Sequence, residues 1–260
     1  MIARSWSVAA IAVGVLALLM FSGVLNPSSS HAAWDAITPS APLGYDEFSR
    51  NLLLTLVAAV LLSLLKAVVI TAVVLIPALI LGQAITLSAH RKLSFGLKLL
   101  VDSIEAIPPV LWVLAIFAAL REPRLLLVGL AFSLITLPTA IALTVGEIER
   151  LRGEPFVEIA YSLGLSEWKI ATRHLLPTAT AILMPFAFQV IGAALAVDGA
   201  VGIIGLGNRT DLDLGVFLLR GKENFYLHPV VLCATIVAYL LIYWGLSLAS
   251  ERVRDRHVAD

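Results

Sequence analysis

The sequence predicts an all-α membrane protein with about six transmembrane helices. Hydrophobic residues occupy 60% of the 260 positions and charged residues only 14%. The mean hydropathy of +0.96 is far above that of soluble globular chains. A helix needs about 20 apolar residues to cross the hydrocarbon core of a bilayer. Six stretches meet this requirement: residues 5–25, 64–88, 97–119, 124–147, 179–201 and 228–249.

The first apolar stretch allows two interpretations. Arg4 precedes it and a Ser-His-Ala-Ala sequence ending at Ala33 follows it, as in a secretory signal. We expect a retained span because the apolar region is long for a signal, although the sequence leaves its cleavage open. Residues 26–50, rich in Ser, Pro and Ala, are predicted to form a periplasmic connection. Residues 52–65 and the second span are together too long for one crossing, which predicts an interfacial helix before that span.

Basic residues near the ends of the spans predict the orientation in the membrane. Most of them fall on one side of a six-span arrangement: Arg4, Arg91, Lys92, Arg150, Arg152, Lys169, Arg173, Arg252, Arg254 and Arg256. This side should be cytoplasmic, with both chain termini and the loop between the fourth and fifth spans. Lys66, near the start of the second span, is expected to extend its ammonium group to the interface.

The loop between the fourth and fifth spans contains EIAYSLGLSEWKIATRHLLP, residues 158–177. Apolar residues at helical spacing predict two short helices with a turn at Gly164, a cap at Ser166 and an end at Pro177. One face of the first helix should comprise Phe156, Ile159, Ala160 and Leu163. A DNA-binding helix-turn-helix has a similar pattern, and so does a pair of helices that docks on a protein. Because membrane helices hold both ends of the loop, we expect a cytoplasmic protein partner.

The run Glu154-Pro-Phe-Val-Glu158-Ile-Ala160-Tyr-Ser-Leu-Gly164, followed by Arg173-His-Leu-Leu-Pro177, resembles the EAA loop of membrane subunits of binding-protein-dependent ABC importers. In that family the loop forms a coupling helix that sits in a cleft of the ATP-binding subunit. Ile159 stands where the family usually has Ala. The resemblance implies a type I ABC importer permease fold with a cytoplasmic coupling helix. It assigns coupling to Glu158, Ile159, Ala160, Gly164, Leu165, Trp168 and Pro177.

Three further stretches resemble the dipeptide, oligopeptide and nickel branch of these importers, specifically its second, C-type permease. They are residues 43–50, 102–109 and 198–207, with Tyr45, Ser49 and Asn51 as departures and Asp198 in place of Glu. The first stretch suggests periplasmic contacts at Gly44, Asp46 and Arg50. The others suggest residues that line the pathway or serve the structure: Asp102, Glu105, Asp198, Gly205 and Gly207. For Asp198, lining the pathway and capping a broken helix are both open.

The resemblance also implies a division of the chain. Residues 1–60 would hold the first span, the periplasmic segment and the interfacial helix. Residues 61–250 would form the importer transmembrane domain, with the coupling loop at 148–178, and residues 251–260 a cytoplasmic tail.

No motif for chemistry appears in the sequence. A Gly-x-x-x-x-Gly-Lys-[Ser/Thr] nucleotide motif is absent, the five His have no metal-ligand spacing, and no Ser/His/Asp set can be assembled. We therefore expect a transport subunit without enzymatic activity, bound metal or cofactor. The resemblance implies that partner subunits use ATP and Mg²⁺.

The expected function is that of a permease subunit in the inner membrane of a bacterium, forming half of a pathway for peptides or nickel-type metal chelates. The implied partners are a second homologous permease, one or two ATP-binding subunits, a periplasmic binding protein and lipid, but no nucleic acid. The alternatives are a secondary transporter driven by an ion gradient, with Asp102, Glu105 and Asp198 as coupling sites, and a membrane-tethered regulator. The sequence does not name the substrate or distinguish a hetero- from a homodimeric membrane core.

Overall fold

The computed structural model describes most of the chain as helix. The described residues are 34, 39, 41–87, 95–96, 99, 103, 106–107, 125–205 and 211–259. Seven α-helices and one π-helical turn are named within these ranges: α1 Leu52–Leu87, α2 Leu125–Arg152, α3 Pro155–Ser162, α4 Glu167–Ile170, the π turn Ala171–Leu175, α5 Leu176–Ile204, α6 Leu214–Glu223 and α7 Pro229–Ala259. An isolated antiparallel bridge between Tyr45 and Asn51 precedes α1.

Four of the described helices are long and apolar enough to cross a membrane. Their spanning segments are Leu52–Thr86, Ala131–Arg152, Leu183–Ile204 and Pro229–Arg254. These segments overlap the second, fourth, fifth and sixth spans predicted from the sequence. The first predicted span, at 5–25, lies outside the described residues, as does nearly all of the third, at 97–119.

Helix α1 corrects one expectation. A separate interfacial helix was predicted at 52–65, but the helix continues without a break to Leu87. Its 36 residues correspond to about 54 Å at 1.5 Å per residue, longer than a bilayer core. No Gly or Pro interrupts residues 52–66, so nothing in the local sequence ends the helix there.

The chain divides into two compact units. The first comprises Met1–Lys66 and Leu195–Ile242, and the second comprises Ala67–Ala194 and Tyr243–Asp260. The core of the first unit joins the start of α1 to α6 and the start of α7. Its buried members are Leu52, Leu56, Ala59, Leu214, Phe217 and Val231.

The second unit contains two buried clusters. One joins α1, α2 and α5 through Val74, Ala78, Ala140 and Val190. The other lies where α2, the loop helices and α5 meet, and it supports the candidate site described below.

Candidate functional site

The loop after α2 begins with a two-residue connection and then helix α3. Glu154 has the extended conformation of a helix N-cap, and Pro155 occupies the first helical position, where its missing N–H costs nothing. The helix ends in a Schellman motif. The backbone N–H of Leu165 donates to the Ala160 carbonyl at 3.1 Å, and that of Gly164 donates to the Tyr161 carbonyl at 2.9 Å. Gly164 has a φ of 77°, so the turn predicted at this glycine is present.

A buried cluster fixes this loop to the two spans that flank it. Its members are Ile148 and Leu151 from α2, Val157 and Ala160 from α3, Ile170 from α4, Leu175 from the π turn and Ala179 from α5. Leu165, just after the turn, packs against the same cluster. The loop is thus a folded extension of α2 and α5.

The opposite side of the loop exposes large apolar side chains. We call Phe156, Ile159, Leu163 and Trp168 the loop surface; Ile159 is 60% exposed and Trp168 is 66% exposed. Of the four apolar residues predicted to share one face of α3, Phe156, Ile159 and Leu163 are exposed, whereas Ala160 packs inward together with Val157. Several large apolar side chains exposed on one otherwise folded loop indicate an interaction site.

Charged residues frame the loop surface. Glu158 is exposed beside Ile159, and Lys169 and Arg173 are exposed on the second half of the loop. A guanidinium nitrogen of Arg152 at the end of α2 lies 2.9 Å from a carboxylate oxygen of Glu167 at the start of α4. This ion pair is a second connection between the loop and α2, although such partly exposed pairs contribute little stability.

The second half of the loop departs from the prediction at two residues. Ser166 stands at the N-cap of α4 in extended conformation, but its hydroxyl accepts no capping hydrogen bond. Pro177 does not end a helix, since the chain continues as α5 to Ile204. The π turn at Ala171–Leu175 lies just before it, and the N–H of Leu176 donates to the Ala171 carbonyl five residues back. The wider π turn accommodates the proline ring, which would otherwise clash with the preceding turn.

A second group of polar residues lies in the first unit, far from the loop in sequence. The carboxylate of Asp213 is fully buried, accepts a hydrogen bond from the Val216 N–H at 2.8 Å and caps α6. Its other oxygen lies 3.0 Å from the ammonium nitrogen of Lys66. The Ser63 hydroxyl accepts from the Leu214 N–H at 3.0 Å and donates to Asp198 at 3.3 Å. We call these four side chains, on Ser63, Lys66, Asp198 and Asp213, the α6 polar cluster.

A charged loop adjoins the other end of α6 within the same unit. Asp46 and Arg50 are buried and form an ion pair at 2.7 Å. Arg220, on the last turns of α6, lies 3.0 Å from Glu47, and its guanidinium also stacks over the ring of Phe48. Burial lowers the pKa of Arg220, and the nearby Glu47 carboxylate opposes that effect. These contacts secure residues 46–50 against α6.

These positions revise several predicted roles. Gly44, Asp46 and Arg50 are buried, so their positions indicate a structural role and do not support direct contact with a periplasmic protein. Helix α5 is unbroken at Asp198, which removes the interpretation of this residue as the cap of a broken helix. Gly205 follows the end of α5 with a φ of 83°. Asp102, Glu105 and Gly207 lie outside the described residues.

Comparison with known proteins identifies the family. Residues 75–258 match the binding-protein-dependent transport system inner membrane component family. The chain belongs to this family. Curated relatives narrow it to the branch of ABC importers to which the peptide permeases belong, and the protein is a multi-pass permease subunit of an inner membrane. Membership sets aside the secondary-transporter and regulator alternatives.

The permease resembles several named proteins. It is 27% identical to the probable D,D-dipeptide transport system permease protein of Escherichia coli over 95% of this chain and 84% of the relative. It is 24% identical to the glutathione transport system permease protein of Pectobacterium atrosepticum over 89% of this chain and 74% of the relative. A dipeptide transport system permease protein of Alkalihalophilus pseudofirmus is 26% identical over 84% of this chain and 72% of the relative.

A solved structure supports the permease fold. The structure titled "Inward facing conformations of the MetNI methionine ABC transporter" matches with a TM-score of 0.59 and covers 78% of this chain and 95% of its own. Its 18% sequence identity makes this a likeness of fold alone.

Four residues of the polar groups were not predicted from the sequence of the permease: Glu47, Ser63, Asp213 and Arg220. One signal was present, because a lysine within an apolar helix requires an acidic partner or an open aqueous face. Lys66 was expected to extend to the interface; instead it pairs with Asp213, 147 residues away in sequence. Among the described residues, no group of three or more His, Cys, Asp or Glu side chains could hold a metal ion.

Proposed function

We propose that this permease forms half of the translocation pathway of an importer for peptide-type substrates and receives ATP-driven motion through the loop surface. The relatives named for D,D-dipeptide, dipeptide and glutathione transport support this substrate class. A periplasmic binding protein would deliver the substrate, a second homologous permease would complete the pathway, and partner subunits would bind ATP and Mg²⁺. This chain would bind no nucleotide.

The observation that carries the proposal is the two-sided character of the loop. Its inner side is a buried cluster shared with both flanking spans, and its outer side exposes Ile159, Leu163 and Trp168. An apolar surface on a rigid support can transmit a rigid-body movement, because displacement of the surface must move the helices to which it is packed. Glu158 on the same side supplies a charge for a basic or hydroxyl group of the partner.

The proposed orientation places the loop and both termini in the cytoplasm. It follows from the basic residues at the ends of α2 and α7, including Arg150, Arg152, Arg252 and Arg254. The far end of α5, at Ile204, would then face the periplasm.

Asp198 is the proposed pathway residue of the α6 polar cluster. Asp198 is partly exposed, whereas Asp213 is fully buried. Lys66 lies against Asp213, and the hydrogen-bond donors to the Asp198 carboxylate are two neutral groups, the Ser63 hydroxyl and the Gly215 backbone N–H. A carboxylate in this position can contact a cationic group such as the ammonium of a peptide.

The test of the coupling role is an Ile159→Asp variant, with Ile159→Ala as the matched control. Aspartate introduces a charge on the loop surface, whereas alanine keeps the position apolar and helical. Because Ile159 is 60% exposed, both variants should reach the membrane in normal amounts. Only Ile159→Asp should lose the ATP-binding subunits during purification and lose uptake in vesicles. Normal retention of those subunits and normal uptake in Ile159→Asp would contradict the proposed function.

A further inference from the structure

The connection between α6 and α7 exposes three consecutive large apolar residues. Phe225, Tyr226 and Leu227 lie in a tight turn, where Tyr226 is 96% and Leu227 is 79% exposed. The rings of Phe225 and Tyr226 pack edge to face with their centroids 6.0 Å apart. We call these three residues the aromatic tip. Neither the coupling loop nor the α6 polar cluster uses them.

The ends of two spanning helices lie near the aromatic tip. The tip stands just before Pro229, where the spanning segment of α7 begins, and α5 ends nearby at Ile204. The ammonium group of Lys222, three residues before Phe225, donates a hydrogen bond to the Ile203 carbonyl at 3.2 Å. This bond joins the last turn of α6 to the end of α5. Ile203 and Ile204 are themselves exposed.

The chemistry of the surrounding residues fits the boundary between hydrocarbon and water. Exposed aliphatic residues mark the end of a span, the tyrosine combines an apolar ring with a hydroxyl, and a lysine lies beside them. Aromatic side chains of this kind concentrate at the headgroup level of membranes, and lysine extends its charge to the same level. Behind the tip, Trp34 stacks on His228 with ring centroids 4.4 Å apart.

We propose that the aromatic tip inserts into the lipid headgroup region and anchors this end of α5 and α7 in the bilayer leaflet. A soluble binding protein is a less suitable occupant, because the tip continues directly into a spanning helix and the neighbouring end of α6 is bonded to the end of α5, where isoleucines are exposed. The partner is therefore a lipid surface. The inference goes beyond the proposed transport function and does not depend on it, since it requires only that α5 and α7 span the membrane.

The experiment attaches an environment-sensitive fluorophore to single cysteines of the full permease, reconstituted with its partner subunits in phospholipid vesicles. Cys233 is the only cysteine of the chain, so a Cys233→Ser background permits labelling at Tyr226→Cys. Leu227→Cys is a second test position in case the first variant does not accumulate. Glu223→Cys is the matched control, since Glu223 is exposed near the tip but belongs to the polar last turn of α6.

The expected result is a blue-shifted emission at positions 226 and 227 relative to 223. Lipids brominated near the headgroup should quench the two tip positions more strongly than the control, and aqueous iodide should quench the control more strongly. Addition of the binding protein should leave the tip signals unchanged. Equal iodide quenching at all three positions without lipid quenching would overturn the proposal. A tip signal that changes only when the binding protein is added would overturn it as well and assign the surface to that protein.

Discussion

Substitution of Gly164 tests the coupling loop most directly, because the structure separates backbone strain from steric overlap at this position. Gly164 has a φ of 77°, which an L-residue adopts only at a cost. A methyl group built on it meets no described atom within 4 Å. Any effect of Gly164→Ala therefore originates in the backbone, and the buried cluster beneath the loop should remain intact.

The loop can respond to Gly164→Ala in two ways, and their free-energy costs set the size of the effect on binding of the ATP-binding subunits. Holding alanine in the left-handed region costs about 1–2 kcal/mol. Releasing that strain breaks the hydrogen bonds from Leu165 to Ala160 and from Gly164 to Tyr161, each contributing about 1 kcal/mol. The strained and the relaxed loop therefore have similar free energies, and roughly half of the Gly164→Ala molecules keep the turn that docking requires. ATP-binding subunits should bind about twofold more weakly, because the apparent dissociation constant rises as the competent fraction falls.

The assay titrates purified ATP-binding subunits onto the permease in lipid nanodiscs and measures uptake in vesicles. Gly164→Val should be more severe than Gly164→Ala, and Gly164→Asn milder, because asparagine tolerates positive φ better than other side chains. Gly146→Ala is the matched control. Gly146 lies within helix α2, and an added methyl group there also meets no described atom within 4 Å. This control should bind the ATP-binding subunits normally.

Abundance in the membrane separates docking from folding. All of these variants should insert normally, because the loop lies outside the apolar segments that drive insertion. If Gly164→Val bound the ATP-binding subunits with unchanged affinity and supported full uptake, the turn would not be part of the coupling machinery.

Three further predictions concern the rest of the chain. Asp198→Asn should reduce uptake at normal abundance, as measured by transport assays with immunoblots; unchanged uptake would remove this residue from the pathway, and loss of protein would indicate a structural role. In denaturant titrations, the free energy of unfolding of Asp213→Ala should be about 1 kcal/mol lower than that of Asp213→Asn, because both variants lose the ion pair but asparagine retains the helix cap. Equal free energies of unfolding would contradict the capping role. A reporter active only in the periplasm and fused after Asp260 should stay silent, and activity would refute a cytoplasmic C-terminus.

Apolar runs were sufficient to locate the described spans, because length and hydropathy are local properties of the chain. The turn at Gly164 was also predictable, since few residues other than glycine accept its φ. The side of α3 that packs inward could not be predicted, because apolar residues occupy both faces of the helix. Periodicity alone could not show that Val157 and Ala160 face the cluster while Ile159 faces outward.

The polar contacts of the first unit could not be predicted from the sequence for a different reason. Lys66 pairs with Asp213 across 147 residues of sequence, and Ser63 contacts Asp198 across 135. Each residue also has an ordinary local explanation, such as an extended lysine or a loop aspartate. Only the folded unit shows that the lysine and the aspartate pair with each other. Pro177 is similar, since the usual rule that proline ends a helix fails only because a π turn precedes it.

That π turn affects how the loop would move α5. The buried cluster includes Leu175 in the turn and Ala179 in the first turns of α5, so the packing continues across the irregular segment. The side-chain hydroxyl of Thr172 in the turn donates to the Trp168 carbonyl at 2.8 Å, and that of Thr178 at the start of α5 donates to the His174 carbonyl at 2.8 Å. Hydrogen bonds of this kind to the carbonyl four residues back favour bending of a helix. Displacement of the loop surface therefore reaches α5 through packed side chains, while the irregular backbone allows a change of direction between the loop and the span.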